Sequence, residues 1–229
     1  MTAAAIAESL GRCLHWTPGP ALGDLLIEVG ERGSADRDPR LAAAVGVGAF
    51  LAAERGEAGR ARALADASLR AAPDPEAGAM ATLALAVLEM YAGDLDASVG
   101  WFEAMAAVPS LTGEAHTSLA LIACYRDDLA LAREHVAVAL ASRPMAGDAS
   151  HTFARYAEGE VVARTDPERG ADLLAATAAE ADRVDAEQVG RVARVALLAL
   201  RVRAGRHPDA ATLGSRLIGD LRRQGAWIQ

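Results

Sequence analysis

A short break in helical periodicity recurs along this chain at a nearly constant spacing. The breaks are centred on Gly56, Gly93, Asp127, Thr165 and Gly205, at intervals of 37, 34, 38 and 40 residues. Glycine and aspartate are typical of tight turns, because glycine adopts left-handed backbone without steric cost and aspartate bonds to nearby backbone. A repeat of this length indicates one supersecondary unit used several times, each copy burying its apolar face against the next.

Each break separates two stretches of helical pattern. The predicted pairs are Leu41–Glu54 with Ala58–Ala72, Glu76–Ala92 with Leu95–Ala107, Glu114–Tyr125 with Leu129–Ser142, Ala149–Arg164 with Glu168–Ala181, and Ala186–Ala204 with Asp209–Arg223. A proline follows the second helix of the first three pairs, where it ends the helix. No sustained period-two run of β-branched residues predicts a strand.

A small residue recurs at one position of the unit and matches a known repeat. Five residues after each break the chain has Ala61, Ser98, Ala132, Gly170 and Ala210. In tetratricopeptide repeats this position is small because the second helix crosses the first there. The chain resembles such an array, although the early Trp and mid-helix Tyr usual in the first helix are absent, and Glu158 stands where a small residue is expected. The resemblance implies an all-α, right-handed helical solenoid.

The N-terminal region adds one further predicted pair. Ala3–His15 and Ala21–Glu31 have helical patterns on either side of a proline-rich turn, and a polar loop follows from Arg32 to Pro39. We therefore expect a single helical repeat domain over residues 1–229, with an N-terminal helix pair and loop at 1–39 and five repeats at 40–229. The solenoid would contain about six tetratricopeptide-like helix pairs in all.

The composition excludes several classes of protein. The chain has no lysine, so its 23 basic residues are all arginine, and P-loop or Schiff-base chemistry lacks its essential amine. A net charge of −8 argues against nucleic-acid binding, which needs a basic face. Cys13 and Cys124 indicate neither a disulfide framework nor a zinc site. No nucleophile stands at a recognisable spacing from a base, so we expect neither an enzyme nor a cofactor.

The sequence also predicts where the protein resides. Met1–Leu10 includes Glu8 and no basic residue, unlike a signal peptide. The longest apolar stretches, Leu41–Ala53 and Ala79–Leu88, are too short to span a bilayer. We therefore expect a cytoplasmic protein that does not enter the membrane.

Three runs in the C-terminal half are similar to a family of regulators. They are His151-Thr-Phe-Ala-Arg-Tyr-Ala-Glu-Gly-Glu160, Thr165-Asp-Pro-Glu-Arg169 with Ala171-Asp-Leu-Leu174, and Leu221-Arg-Arg-Gln-Gly-Ala-Trp227. They resemble the helical repeat region of bacterial SARP/BTAD and LuxR-type transcriptional regulators that have a central ATPase. The resemblance implies a sensor or interaction arm that restrains or releases neighbouring domains. Such regulators continue beyond the Gly-x-Trp, which predicts that this chain is a fragment or a stand-alone relative.

Six residues are candidates for a ligand groove, because first helices line the concave surface of such arrays. They are His116, His151, Arg155, Glu158, Arg191 and Arg194. The arginines suit a carboxylate or phosphate ligand, which they would bind in a bidentate manner. The alternative is that the histidines help their helices start and that the charged residues form an ordinary solvated surface. No histidine pair has the spacing of metal ligands, so no metal site is predicted.

The function expected from these features is a non-catalytic binding module. It would act as the sensor or protein-interaction arm of a bacterial transcriptional regulator, with a protein or peptide as its main partner and a small effector as a further candidate. An oligomerisation scaffold or stand-alone adaptor is the alternative, and an all-helical enzyme a distant one. The sequence leaves homo-oligomerisation open.

Overall fold

The protein is all-helical in the part of the chain that the computed structural model describes, which is residues 20–32, 38–142 and 148–224. These ranges contain one short 3-10 helix (Pro39–Leu41) and no strand. Their α-helices are α1 (Pro20–Glu31), α2 (Ala42–Glu54), α3 (Ala58–Ala71), α4 (Pro75–Ala92), α5 (Leu95–Ala106), α6 (Thr112–Tyr125), α7 (Leu129–Ala141), α8 (Asp148–Ala163), α9 (Pro167–Arg183), α10 (Glu187–Arg203) and α11 (His207–Gln224).

The ten helices predicted over residues 41–223 are confirmed, and each helix end lies within two residues of the predicted position. In the N-terminal pair, the predicted helix at 21–31 corresponds to α1, whereas the one at 3–15 lies outside the described residues. None of the described helices is both long enough and apolar enough to cross a bilayer.

The predicted breaks are tight turns whose geometry follows from their residues. Gly56, Gly93, Asp127 and Gly205 have left-handed backbone, with φ of 77°, 83°, 64° and 71°. The fourth break has no left-handed residue; there Asp166 caps α9 by accepting a hydrogen bond from the backbone N–H of Arg169 at 3.1 Å, as Asp94 and Asp128 also cap α5 and α7. A side-chain cap of this kind satisfies one of the free N–H groups at the start of a helix.

The helices form two rows that differ in burial. We call α2, α4, α6, α8 and α10 the inner helices and α3, α5, α7, α9 and α11 the outer helices. In α2, 11 residues are buried, whereas in the outer helix α7 only Ala132, Val136 and Ala139 are. A helix that is apolar on all sides must be covered on all sides, while an amphipathic helix keeps one face in water. The inner row therefore lies between the outer helices and the interior of the array.

Neighbouring helices pack closely throughout the described chain. Each α-helix contacts the next one in sequence, and direct contacts also join the inner helices in the pairs α2–α4, α6–α8 and α8–α10. Two glycines of α2 make its packing close: a Cβ at Gly48 would lie 3.0 Å from the carbonyl oxygen of Leu26, and one at Gly46 would lie 3.0 Å from the backbone nitrogen of Ala81. These glycines thus serve helix packing against α1 and α4.

One pair of successive inner helices is the exception. Helices α4 and α6 make almost no direct backbone contact, although α5 connects them and packs on both. The buried side chains accordingly form two clusters, one from α1 to α6 and the other from α6 onward. The place where the two clusters separate is where the cavity described next is found.

Candidate ligand-binding cavity

A cavity of about 370 Å³ lies between the inner helices. All five inner helices contribute side chains to its wall, and Phe102 of α5 contributes one more. Phe102 is 1% exposed and lies at the floor, whereas Tyr91 and Tyr125 are more than half exposed and lie at the mouth. The cavity thus extends from the solvent into the gap between α4 and α6.

The aromatic side chains of the chain are concentrated in this wall. The sequence contains three phenylalanines and three tyrosines. All six line the cavity: Phe50, Tyr91, Phe102, Tyr125, Phe153 and Tyr156. Leucine, valine and methionine side chains fill most of the remaining wall. An aromatic and aliphatic wall with few polar groups is the usual composition of a small-molecule site.

A hydrogen-bonded clasp joins the first inner helix to the last at the mouth. Nε2 of Gln188 on α10 donates to Oε2 of Glu54 on α2 at 2.9 Å, and the hydroxyl of Tyr91 on α4 donates to Oε1 of the same carboxylate at 3.1 Å. Burial raises the pKa of Glu54, while the Tyr91 hydrogen bond and the charge of Arg191 oppose that rise. The clasp closes the row of inner helices across the cavity.

A second carboxyl, that of Glu114, lies in the wall without any partner among the described residues. Glu114 is in the first turn of α6 and is 5% exposed. It forms no hydrogen bond or ion pair with the described part of the chain, and burial raises its pKa to about 8. Most buried carboxyls are paired or hydrogen-bonded, because burial otherwise disfavours their charged form. Glu114 is therefore mostly protonated at neutral pH.

A tyrosine–glutamate pair lies on the α8 side of the cavity. The hydroxyl of Tyr156 donates to Oε1 of Glu160 at 3.3 Å, and burial raises the pKa of Glu160. Arg164, one turn further on, donates from its guanidinium to the backbone carbonyl of Cys124 at 2.7 Å. The Arg164 contact joins the end of α8 to α6, and the hydrogen bond within α8 orients the ring of Tyr156, which is stacked near that of Phe153.

The residues predicted as groove candidates lie outside the cavity wall. His116 faces its own outer helix, with its Nδ1 2.8 Å from Nδ1 of His135 on α7, and His151 is exposed. Arg155 and Glu158 are partly buried on α8. Arg194 pairs with Asp182 on α9.

Arg191 acts on the clasp through its charge, which opposes the rise in the pKa of both Glu54 and Tyr91. The structure therefore does not bring the six candidates together into one groove.

The cavity wall could have been predicted from the positions of the phenylalanine and tyrosine residues, but not from those of the charged residues. Phenylalanine and tyrosine are rare here, and five of the six fall in predicted first helices. That distribution would have indicated the wall. Glu114 had no such signal, since a glutamate in the first turn of a helix is common.

Metal binding finds no support in the described residues, which contain no group of three or more histidine, cysteine, aspartate or glutamate side chains close enough to share an ion. Cys124 is buried and unpaired, and burial raises the pKa of its thiol. Cys13 lies outside the described residues.

Comparison with protein-family models, with curated proteins and with solved structures finds no match to this chain.

Proposed function

We propose that this protein is a non-catalytic binding module that holds a small, mostly apolar ligand between its inner helices. The observation that carries this proposal is the gathering of all six phenylalanine and tyrosine side chains in the wall of one cavity. The cavity volume of about 370 Å³ falls within the range of roughly 300–1,000 Å³ found for small-molecule sites.

An apolar cavity of this size is costly for a protein that has no use for it. Because the cavity opens to solvent, its apolar wall leaves surface in contact with water that closer packing would bury, at roughly 25 cal/mol per Å². A larger apolar side chain at a small wall position such as Ser118 of α6 would have filled part of it. The retention of the gap supports an occupant.

The clasp favours a small molecule over a peptide or protein as that occupant. A concave groove open along its length suits an extended peptide, whereas the contact between Glu54 and Gln188 bridges α2 and α10 across the opening. The architecture that we propose is a right-handed solenoid of about six tetratricopeptide-like helix pairs, curved tightly enough for its first and last inner helices to meet.

The wider role that we propose is the sensory arm of a bacterial transcriptional regulator. The support is the resemblance in the runs at 151–160, 165–174 and 221–227. The first run contributes Phe153 and Tyr156 to the cavity wall. Ligand occupancy would then be the signal that reaches neighbouring domains.

A second candidate function is an oligomerisation scaffold. Leu131 and Val138 lie seven residues apart on α7 and are 42% and 40% exposed, which leaves an apolar strip on an outer helix. Light scattering separates the two candidates, since a monomer at every concentration would exclude the scaffold.

A fluorescent apolar probe tests the proposed function. N-phenyl-1-naphthylamine, which is uncharged at neutral pH, should bind saturably with one probe per chain. Leu121→Trp should weaken that binding at least tenfold, about 1.4 kcal/mol, because the added ring enters the cavity. Leu131→Trp is the matched control on the outer surface and should leave the affinity unchanged. Equal affinities for the two variants, or no saturable binding at all, would exclude the cavity as a ligand site.

A further inference from the structure

We propose that the ligand of this cavity is an amphipathic monocation, with its ammonium or similar cationic group against the carboxyl of Glu114 and its apolar part against the aromatic wall. The proposal rests on the proposed function and names the chemical class of its ligand. It is carried by the position of one unpartnered carboxyl and by the charges of the groups around it.

The carboxyl of Glu114 could form an ion pair, but the described residues supply no cationic partner for it. The residue is 5% exposed, lines the cavity, and has no partner among the described residues. An unpaired buried polar group destabilises a protein by roughly 1–3 kcal/mol. An apolar residue of similar size at this position would avoid that destabilisation. A ligand that supplies the missing donor explains why a carboxyl stands there.

The charges of the wall favour a cation over an anion. Two carboxyls, Glu54 and Glu114, belong to the wall, and no arginine or histidine does among the described residues. The charge of Arg191 acts on Glu54 and Tyr91 and that of Arg164 on Tyr125, whereas burial is the sole cause of the raised pKa of Glu114. An anionic ligand would therefore find no positive charge beside Glu114.

The aromatic wall strengthens the same preference. The faces of phenylalanine and tyrosine rings carry negative potential and attract cations, an interaction of roughly 0.5–2 kcal/mol that grows when water is excluded. Phe102 is, like Glu114, a buried residue of the wall, and the other rings offer apolar surface to the rest of the ligand.

Binding requires one proton transfer. The ligand enters as an ammonium ion, the protonated carboxyl of Glu114 releases its proton to water, and the carboxylate and the ammonium form a charge-assisted hydrogen bond. No bond of the ligand is made or broken.

Three compounds of equal length test the proposal on the wild-type protein. They are 4-phenylbutylamine, 4-phenylbutanol and 4-phenylbutyrate, each used at pH 7 to displace N-phenyl-1-naphthylamine. We expect the amine to bind at least tenfold tighter than the alcohol, and the butyrate weakest. An alcohol that binds as tightly as the amine, or a butyrate that binds best, would overturn the proposal. The proposed function would survive either outcome, since the neutral probe would still bind.

Two matched variants test whether the preference for the amine depends on the carboxyl of Glu114. Glu114→Gln should reduce amine binding to the level of the alcohol without changing the affinity for the alcohol, and it should fold because Glu114 is mostly uncharged in the folded state. Glu168→Gln is the control, because Glu168 also lies in the first turn of a helix but is exposed on α9. An amine preference that persists in Glu114→Gln would overturn the role of this carboxyl. If neither the three compounds nor the neutral probe binds, the proposed function fails as well.

Discussion

Gln188 donates a hydrogen bond to Glu54 across 134 residues of sequence, from Nε2 to Oε2 at 2.9 Å. This contact joins the first inner helix to the last and makes a cavity out of what would otherwise be an open surface. Because Tyr91 donates to the other oxygen of the same carboxylate at 3.1 Å, three inner helices meet at one side chain. The shape of the candidate site therefore depends on a contact between distant parts of the array.

The clasp should make a measurable contribution to stability. In a double-mutant cycle with Glu54→Ala and Gln188→Ala, we expect a coupling energy of about 1–2 kcal/mol, since a hydrogen bond to a charged group contributes about 1.5–3 kcal/mol and this one is partly exposed. Urea denaturation of the wild type, both single variants and the double variant measures it. The exposed pair of Arg206, which immediately precedes α11, and Asp209 in its first turn is the control and should couple weakly. Equal coupling in the two cycles would show that the clasp does not hold α10 to α2.

The buried carboxyl of Glu114 should make stability fall as the pH rises. Its pKa is about 8 in the folded protein against an ordinary value of 4.5, so the folded state holds a proton that the unfolded chain has lost. The proton held by Glu114 stabilises the folded state, and this stabilisation is fully present below about pH 4.5. It declines between pH 4.5 and 8 by up to about 1.4 kcal/mol per pH unit and is absent above pH 8. Glu54 and Glu160 shift in the same direction, so the difference between the wild type and Glu114→Gln isolates Glu114.

The measurement is the free energy of unfolding from urea titrations at pH 5, 6, 7 and 8. Relative to the wild type, Glu114→Gln should become progressively more stable across this series. Parallel curves for the two proteins would mean that Glu114 is solvated or paired in the folded state.

The close crossing of α8 and α9 predicts opposite effects for two glycine-to-alanine changes. A Cβ at Gly170 would lie 2.5 Å from the Cα and Cβ of Ala163, so Gly170→Ala must push the helices apart and should cost about 1–3 kcal/mol. Gly100 on α5 is exposed and has nothing within 4 Å of an added Cβ, so Gly100→Ala should stabilise the protein by about 0.5–1 kcal/mol. Thermal unfolding of both variants checks the prediction, and a stable Gly170→Ala protein would contradict the crossing.

Binding of an amine should release a proton. At pH 7 the carboxyl of Glu114 is mostly protonated and the ligand is an ammonium ion, so formation of the ion pair expels nearly one proton per chain. Calorimetry in two buffers of different ionisation enthalpy measures the number of protons released. It should fall towards zero at pH 9 and should be close to zero in Glu114→Gln at every pH. A proton count near zero for the wild type at pH 7 would mean that the ligand does not pair with this carboxyl.

The helices and turns of the fold followed from local chemistry, which the sequence displays. Gly56 and Gly93 were predicted as turns because of their conformational freedom, and both have left-handed backbone. Asp166 was part of a predicted break, and it caps the next helix. The buried positions of Ala61 and Ser98 agree with the small residue expected in each unit, and the hydroxyl of Ser98 donates to the backbone carbonyl of Ala86 at 2.9 Å.

The candidate site did not follow from local patterns, because the direction in which an inner-helix residue points depends on the curvature of the whole array. His116 and Glu114 are two residues apart in the same predicted helix, yet Glu114 lines the cavity while His116 contacts His135 on α7. The approach of α10 to α2 links residues 134 positions apart, and no repeat period contains that information. The concentration of phenylalanine and tyrosine in first helices is a sequence feature from which the wall could have been predicted, and the charged-residue patterns did not include it.

The most direct test of a ligand-binding cavity is the location of a bound molecule. Isotope-filtered NOE spectra can be recorded on methyl-labelled protein with 4-phenylbutylamine, observing contacts from the phenyl protons of the ligand. We expect NOEs to the methyl groups of Val87, Leu121 and Val192, which line the cavity. Val195 lies three residues further along α10 but is 45% exposed and outside the wall. NOEs to Val195 and to the exposed Leu131 in place of the cavity methyl groups would contradict the account.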